Sequence, residues 1–88
     1  MGLDTVETVL WAESNFEIRI PDEVASEIRT VGEFCTHIHQ QIALKDSFKA
    51  KPKSQIFDEV KNYLVTQFKA KPERITQHAE FVKDLGLG

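Results

Sequence analysis

Residues 3–34, LDTVETVLWAESNFEIRIPDEVASEIRTVGEF, contain the patterns that decide the fold of this chain. Apolar residues recur at intervals of three and four over residues 3–16, which predicts an amphipathic helix with an acidic exposed side. Pro21 restricts the residue before it to an extended conformation, so a loop must follow that helix. Asp22 and Glu23 then suit the first turn of a short second helix, because acidic side chains favour the positive end of the helix dipole.

Thr30 and Glu33 mark the start of the next helix. A threonine followed three residues later by a glutamate is a capping-box pattern, in which each residue bonds the backbone of the other. An apolar stripe at intervals of three and four follows: Val31, Phe34, Cys35, Ile38 and Ile42. The stripe predicts a helix that packs on the core, with Cys35 as a small buried side chain.

The remaining residues predict a linker, a fourth helix and a long loop. Residues 45–53, KDSFKAKPK, contain four lysines, one proline and no apolar period, which is typical of a solvated connection. Ser54 is the expected N-cap of the fourth helix, which should end near Lys69. Residues 70–88 read as an ordered loop. The prediction is an all-α four-helix bundle with three longer helices and one short helix.

The size and composition of the chain predict one small, soluble domain. It has 88 residues, of which 41% are hydrophobic and 28% are charged, and a single core is the usual solution at this length. No apolar run approaches the roughly 20 residues that cross a bilayer, and no export signal is evident, so no membrane partner is expected. The single cysteine fits a cytoplasmic location.

The net charge of −3 is distributed unevenly. Residues 1–44 hold eight acidic and two basic side chains, whereas residues 45–88 hold six acidic and nine basic ones. An acidic first half disfavours nucleic acid as a partner and favours a partner with a basic patch.

The histidines and acids form no recognisable catalytic or metal-binding pattern. His37 and His39 lie two residues apart on a helix and cannot share a face, while His78 lies in the predicted loop. We expect no metal, and no glycine-rich phosphate loop, nucleophile motif or paired carboxylates appear. The chain is therefore not expected to be an enzyme.

Two segments of the chain resemble the two halves of a bacterial acyl carrier protein, in reversed order. Residues 3–34 are similar to the second half, with its acidic helix, Ile-Pro-Asp-Glu turn and Thr-Val start of the last helix. Residues 55–87, QIFDEVKNYLVTQFKAKPERITQHAEFVKDLGL, are similar to the first half, with its Phe-Val-x-Asp-Leu-Gly approach to the attachment site. The resemblance implies a circularly permuted acyl-carrier-like bundle made from residues 1–44 and 54–88.

The resemblance also implies that the attachment serine is missing. In the family a serine before a leucine carries 4'-phosphopantetheine, and Leu3 matches that leucine, so Gly2 stands at the serine position. Thr5 is a substitute only in an alignment that shortens the first helix by three residues and rotates its apolar stripe. We therefore expect no cofactor in this chain.

The resemblance further implies a docking face and an acyl pocket. Partners in the family are acyl-transfer or synthase enzymes with basic patches, and the matching docking residues are Leu3, Asp4, Glu7, Leu10, Glu13, Asp22 and Glu23. The alternative for the acids is a merely solvated face. The residues that resemble the pocket lining are Leu10, Ala12, Ile20, Ala25, Ile28, Phe34 and Phe81. From the residues alone these are simply core.

Three functional readings follow from these patterns. The first is an acyl-carrier-type domain of fatty-acid or polyketide-type biosynthesis that cannot be primed. The second is an interaction module that binds a partner enzyme through its acidic helix, and the third is a fragment of two adjacent carrier domains.

The nine-residue linker, about 30 Å when extended, allows closure within one chain and also a helix-swapped dimer. We expect the monomer.

Overall fold

A computed structural model describes residues 3–45 and 51–86, and for residues 3–5 it describes the backbone alone. Four α-helices follow one another along this part of the chain: α1 (Leu3–Phe16), α2 (Asp22–Glu27), α3 (Val31–Lys45) and α4 (Lys53–Phe68). The described residues contain no strand; beyond the helices they form a 3-10 turn at Pro72–Arg74 and one isolated bridge between Thr30 and Glu80. The prediction of three longer helices and one short helix is confirmed.

The ends of α3 and α4 differ from the predicted linker boundaries. Helix α3 continues to Lys45, the first residue of the predicted linker, where the Lys45 ammonium donates to the Glu17 carbonyl at 2.7 Å. Helix α4 begins at Lys53 and its N-cap is Pro52, so the prediction of Ser54 as N-cap is wrong. The Pro52 carbonyl accepts from the amides of Gln55 and Ile56 and so closes the first turn itself. Linker residues 46–50 lie outside the described residues.

The core lies where α3 meets α1 and α4. Helix α3 contributes its whole predicted stripe, and α4 contributes Ile56, Val60 and Leu64, each with no exposed surface. Burying an apolar side chain of this size stabilises a fold by roughly 1.5–3 kcal/mol, so this contact dominates the packing. Cys35 is buried, as predicted.

Helix α1 presents a different face to the core from the one its apolar residues suggest. Thr8, Ala12 and Phe16, spaced by four, are buried, whereas Val6 is 39% exposed and Leu10 is 58% exposed. At about 100° per residue, Leu10 lies roughly 200° from Thr8 and faces the opposite side of the helix. The prediction, made from the residues alone, that Leu10 belongs to the core is therefore wrong.

The segment after the 3-10 turn is held against the start of α3 by backbone hydrogen bonds. The Val31 amide donates to Ala79 and the Gly32 amide to Gln77, both at 2.9 Å, while the Phe81 amide donates to Arg29 at 3.0 Å. Gly32 is required at this point, since a β-carbon there would lie 2.7 Å from the Gln77 carbonyl oxygen. These bonds place residues 79–82 beside α2.

Aromatic side chains join α1 to α4. The rings of Trp11 and Tyr63 stack with centroids 4.2 Å apart and an interplanar angle of 14°. Phe16 and Phe68 meet this pair edge-on, and the Lys51 ammonium lies 5.5 Å from the Phe16 ring centroid. Trp11, whose position the sequence left open, is therefore half-buried in a contact between helices.

Candidate functional site

A cavity of about 320 Å³ lies between α1, α2, the start of α3 and residues 80–82. Its lining combines apolar side chains with a few polar ones: Thr8, Val9, Ala25, Ser26, Ile28, Arg29, Phe34, Glu80, Phe81 and Val82. Pockets that bind small ligands are typically concave, mostly apolar and about 300–1,000 Å³ in volume, so this cavity falls at the small end of that range.

The cavity wall is held by buried aromatic residues. Phe34 and Phe81 are 1% and 6% exposed, and their rings meet edge-to-face with centroids 5.6 Å apart. Arg29 and Val82, which are exposed, and Glu80, which is half-buried, also line the cavity. The site is a largely apolar recess whose lining includes one basic and one acidic residue.

The structure brings together some of the predicted pocket residues and separates others. Ala25, Ile28, Phe34 and Phe81 line the cavity, as the resemblance implied. The other three do not: Ala12 lies in the core, and Leu10 and Ile20 line a groove elsewhere on α1. Leu10 follows the orientation of α1, which turns the Thr8 and Val9 side of the helix toward the cavity, whereas Ile20 lies beyond the end of α1.

The sequence did not reveal six of the lining residues: Thr8, Val9, Ser26, Arg29, Glu80 and Val82. Thr8 could have been found from its spacing, because it precedes the predicted pocket residue Ala12 by four residues and so lies on the same face of the helix. Glu80 and Val82 lie in a loop with no period, and only the hydrogen bonds to the start of α3 place them here.

A second groove, of about 670 Å³, lies along α1 and the chain that leads into α2. It brings together three of the predicted docking residues, Leu10, Glu13 and Asp22. Glu7 and Glu23 are exposed but lie outside its lining, and the side chains of Leu3 and Asp4 lie outside the described residues.

Glu13 has a structural contact that the sequence did not predict. Its carboxylate oxygen Oε2 accepts a hydrogen bond from the Ile20 amide at 2.9 Å. This bond fixes the chain just before Pro21 and so orients α2 relative to α1. The Glu13 carboxylate is thus partly committed within the chain, whereas those of Asp22 and Glu23 are exposed in the first turn of α2.

The two residues that the sequence analysis compared with the phosphopantetheine attachment site lie wholly or partly outside the described part of the chain. Gly2 lies outside the described residues and, as a glycine, has no hydroxyl group; the side chain of Thr5 is also outside them. Two hydroxyl groups line the cavity: Thr8 is only 2% exposed, and Ser26 Oγ donates to the Glu23 carbonyl at 2.8 Å. Neither residue lies in the first turn of its helix.

The other ionisable side chains of the described residues form no metal-binding cluster. Within residues 3–45 and 51–86, no three His, Cys, Asp or Glu side chains are placed to hold a metal ion. The Nε2 atom of His37 is buried without a hydrogen-bond partner. Burial raises the pKa of the Cys35 thiol to about 12.

None of the described helices has the length and apolar character needed to cross a bilayer.

Comparison with known proteins gives partial matches, two of which are to proteins named as acyl carrier proteins. The chain is 53% identical over 37 residues to a yeast protein (Saccharomyces cerevisiae) named "Acyl carrier protein, mitochondrial", covering 42% of this chain and 30% of that protein. It is 61% identical over 32 residues to the "Acyl carrier protein" of a Picosynechococcus species, covering 36% of this chain and 40% of that protein. The matched segment thus spans less than half the length of these curated relatives. No family model and no solved structure matches.

Proposed function

We propose that this chain is an acyl carrier protein-like domain of fatty-acid or polyketide-type biosynthesis that retains the carrier fold but cannot be primed. The observation that carries the proposal is the apolar cavity beside α1, whose wall includes the matching residues Ala25, Ile28, Phe34 and Phe81. The partial identity to two acyl carrier proteins supports it. In this proposal the chain is a carrier-type protein and not an enzyme.

The same proposal includes the permuted order within one domain. Residues 1–44 supply what the second half supplies in the family, and residues 54–88 supply the first half. The backbone hydrogen bonds from Val31 and Gly32 to residues 77 and 79 support this reading, because they join the two segments through the start of α3. The cytoplasmic location expected from the sequence stays a prediction.

Incubation with a phosphopantetheinyl transferase and coenzyme A tests the priming defect. We expect intact-protein mass spectrometry to show no mass gain for this chain, because Gly2 offers no hydroxyl group. The matched variant Gly2→Ser returns a hydroxyl to that position and should gain one phosphopantetheinyl group, as should an acyl carrier protein run as positive control. Modification of the unchanged chain would contradict the proposal, and its loss in Thr5→Val would identify the residue used.

A second function, an interaction module without cargo, is favoured by the exposed side of α1. Leu10 is 58% exposed beside Glu13 and Asp22, an arrangement that suits an apolar anchor with an acidic surround. This surface would bind a basic patch on an acyl-transfer or synthase enzyme.

Binding to an immobilised acyl-transfer enzyme tests that surface. We expect Leu10→Ser, or Asp22→Lys with Glu23→Lys, to reduce retention at low salt, whereas Asp58→Lys, an exposed acid on α4, should reduce it less. Equal losses from the α2 and α4 charge changes would mean that net charge alone governs binding. Retention of the parent chain together with failed priming would select the interaction module over a working carrier.

A further inference from the structure

We propose that Lys45 and Lys51 form a charge-dependent clasp that holds the C-terminal end of α1 and the turn that leads from it to α2. The clasp opens when the two ammonium groups are neutralised or are screened by salt. This goes beyond the proposed function, because it is a conformational change of the chain itself and needs neither a prosthetic arm nor an enzyme partner.

The C-terminal end of α1 lacks the positive charge that such an end favours. The free carbonyl groups of the last turn give a helix C-terminus a partial negative charge, which basic side chains stabilise. Helix α1 has no basic residue in its last turn, and Glu13 and Glu17 add negative charge near its end. Glu17 also adopts the left-handed conformation, with φ 55°, which is costly for a residue with a β-carbon. The end of α1 therefore favours a cation from elsewhere in the chain.

Two lysines from other parts of the fold reach this end of α1. Lys45, the last residue of α3, donates from its ammonium to the Glu17 carbonyl at 2.7 Å. Lys51, just before α4, places its ammonium 5.5 Å from the Phe16 ring centroid and 3.1 Å from a Glu59 carboxylate oxygen. Lysine side chains near a helix C-terminus can bond its last carbonyl groups. Because Phe16 and Glu17 are consecutive, both contacts restrain the same point of the chain.

The restrained point leads directly into the turn before α2. The Ile18 amide donates to the Glu13 carbonyl at 3.1 Å, and the Ile20 amide donates to the Glu13 carboxylate at 2.9 Å. Both bonds span Glu17. Ile18, Arg19 and Ile20 also line the groove that runs along α1. Release of Glu17 should therefore loosen the turn and, with it, one wall of that groove.

Both ammonium groups are open enough to solvent to respond to salt. The side chains of Lys45 and Lys51 are 58% and 38% exposed. Interactions of exposed charges weaken as ionic strength rises, and one such pair has only a small effect by itself. Two cations that act on one segment have a larger combined effect. Neither side chain belongs to the hydrophobic core, so loss of either charge should open the segment locally.

Hydrogen exchange of the full chain at low ionic strength tests the clasp. Lys45→Met and Lys51→Met each keep an unbranched side chain and remove one charge. We expect each to accelerate exchange at the Ile18 and Ile20 amides about threefold, and the double variant to accelerate it about tenfold.

Salt dependence separates the charge from the packing of the side chains. Between about 0.01 M and about 1 M salt the Debye length falls from about 30 Å to about 3 Å. Exchange at Ile18 and Ile20 should accelerate over this range in the parent chain, and much less in the double methionine variant, whose clasp charges are already absent.

Three controls accompany these measurements. Lys45→Arg and Lys51→Arg keep the charge and should keep most of the protection. Lys71→Met, at an exposed position beyond α4, changes the net charge equally and should leave exchange at both amides unchanged. Low urea concentrations should hardly affect Ile18 but should accelerate exchange at Ile38 in the core, because a local opening exposes little surface.

Four outcomes would overturn the proposal: unchanged exchange in the double methionine variant, equal acceleration in Lys71→Met, arginine variants that lose as much protection as the methionine variants, or equal urea dependence at Ile18 and Ile38. Each would leave the carrier-like function standing, because priming and enzyme binding are measured separately. Failure of either of those experiments would likewise leave the exchange results intact.

Discussion

The Glu33 carboxylate both caps α3 and holds the residues before it. Oε1 accepts hydrogen bonds from the Thr30 amide at 3.0 Å, the Arg29 amide at 3.2 Å and the Thr30 hydroxyl at 3.1 Å. In return the Glu33 amide donates to Thr30 Oγ1 at 3.1 Å, which confirms the predicted capping box. The backbone hydrogen bond from Thr30, followed by that from Arg29, lowers the pKa of Glu33 below its usual value of 4.5.

Replacing Glu33 by alanine should lower the free energy of unfolding by about 1 kcal/mol at pH 7. Because the folded-state pKa is depressed, the charged contribution is present above about pH 4.5 and is lost as pH falls through the folded pKa. The difference between parent and variant in urea unfolding should therefore shrink from pH 7 to pH 3. A difference that stays constant with pH would contradict this assignment, and Glu27→Ala serves as the exposed control.

Two helices end on side-chain-bearing residues in the left-handed conformation, Glu17 with φ 55° and Lys69 with φ 57°. Glycine adopts this conformation without steric cost, so Glu17→Gly and Lys69→Gly should each stabilise the fold by about 0.5–1 kcal/mol. Glu17→Gly also removes the ion pair between Glu17 and Lys45, but this pair is 3.8 Å long and largely exposed, so its loss should reduce the gain in stability only slightly. Urea midpoints measure the effect. Glu17→Ala keeps the β-carbon, and a gain from it equal to that from Glu17→Gly would argue against conformational relief.

Residue-level features were predictable when both partners lie close together in sequence. The Thr30 and Glu33 pair is three residues apart, so its pattern identifies the cap directly. The hydrogen bond from Ile20 to Glu13 spans seven residues across a turn. From the sequence, Glu13 was therefore predicted to be an exposed acid, because nothing in the local pattern shows that the turn brings the Ile20 amide to the Glu13 carboxylate.

At the scale of elements, Gly32 sets how closely the loop approaches α3. Gly32→Ala should destabilise the fold by about 1–3 kcal/mol, because the added methyl would meet the Gln77 carbonyl oxygen, and the gain in helix propensity, about 1 kcal/mol, offsets only part of this. Hydrogen exchange at Val31 and Phe81 should also accelerate. Gln40→Ala, at an exposed position of the same helix, is the control. Unchanged exchange at both amides would show that the loop does not depend on this contact.

The stacked pair Trp11 and Tyr63 should couple α1 to α4. A double-mutant cycle with Trp11→Ala and Tyr63→Ala should give an interaction energy of about 0.5–1.5 kcal/mol in urea unfolding. Replacing Tyr63 should also change the fluorescence of Trp11, the single tryptophan. Additive single effects would contradict the stacked geometry. The matched cycle of Trp11 with Asn62, an exposed neighbour on α4, should show no coupling.

The orientation of α1 could not be predicted from its own residues. Its apolar residues outnumber the positions that the core accepts, so two faces compete, and hydrophobicity alone favours Val6 and Leu10. The packed bundle selects the Thr8, Ala12 and Phe16 side instead. Helix α3 has a single apolar stripe and no such ambiguity, so its prediction was confirmed.

At the scale of the whole molecule, closure within one chain stays a prediction. Lys51 follows residues 46–50, and its ammonium lies over the Phe16 ring at the end of α1 and 3.1 Å from a Glu59 carboxylate oxygen on α4. Light scattering should therefore give the mass of one chain, 10.1 kDa, across micromolar to millimolar concentrations. A mass that doubles with concentration would instead favour the helix-swapped dimer.

The buried thiol of Cys35 allows opening of the core to be followed by its reaction with a thiol reagent. Cys35 is 1% exposed and its pKa is about 12, so a closed molecule at neutral pH offers a thiol reagent neither an accessible sulfur nor a thiolate. A molecule can therefore be labelled only after an opening that exposes Cys35. Because the sequence has one cysteine, each labelled molecule gains the mass of one reagent group, and the labelling rate of the unaltered protein reports how often it opens.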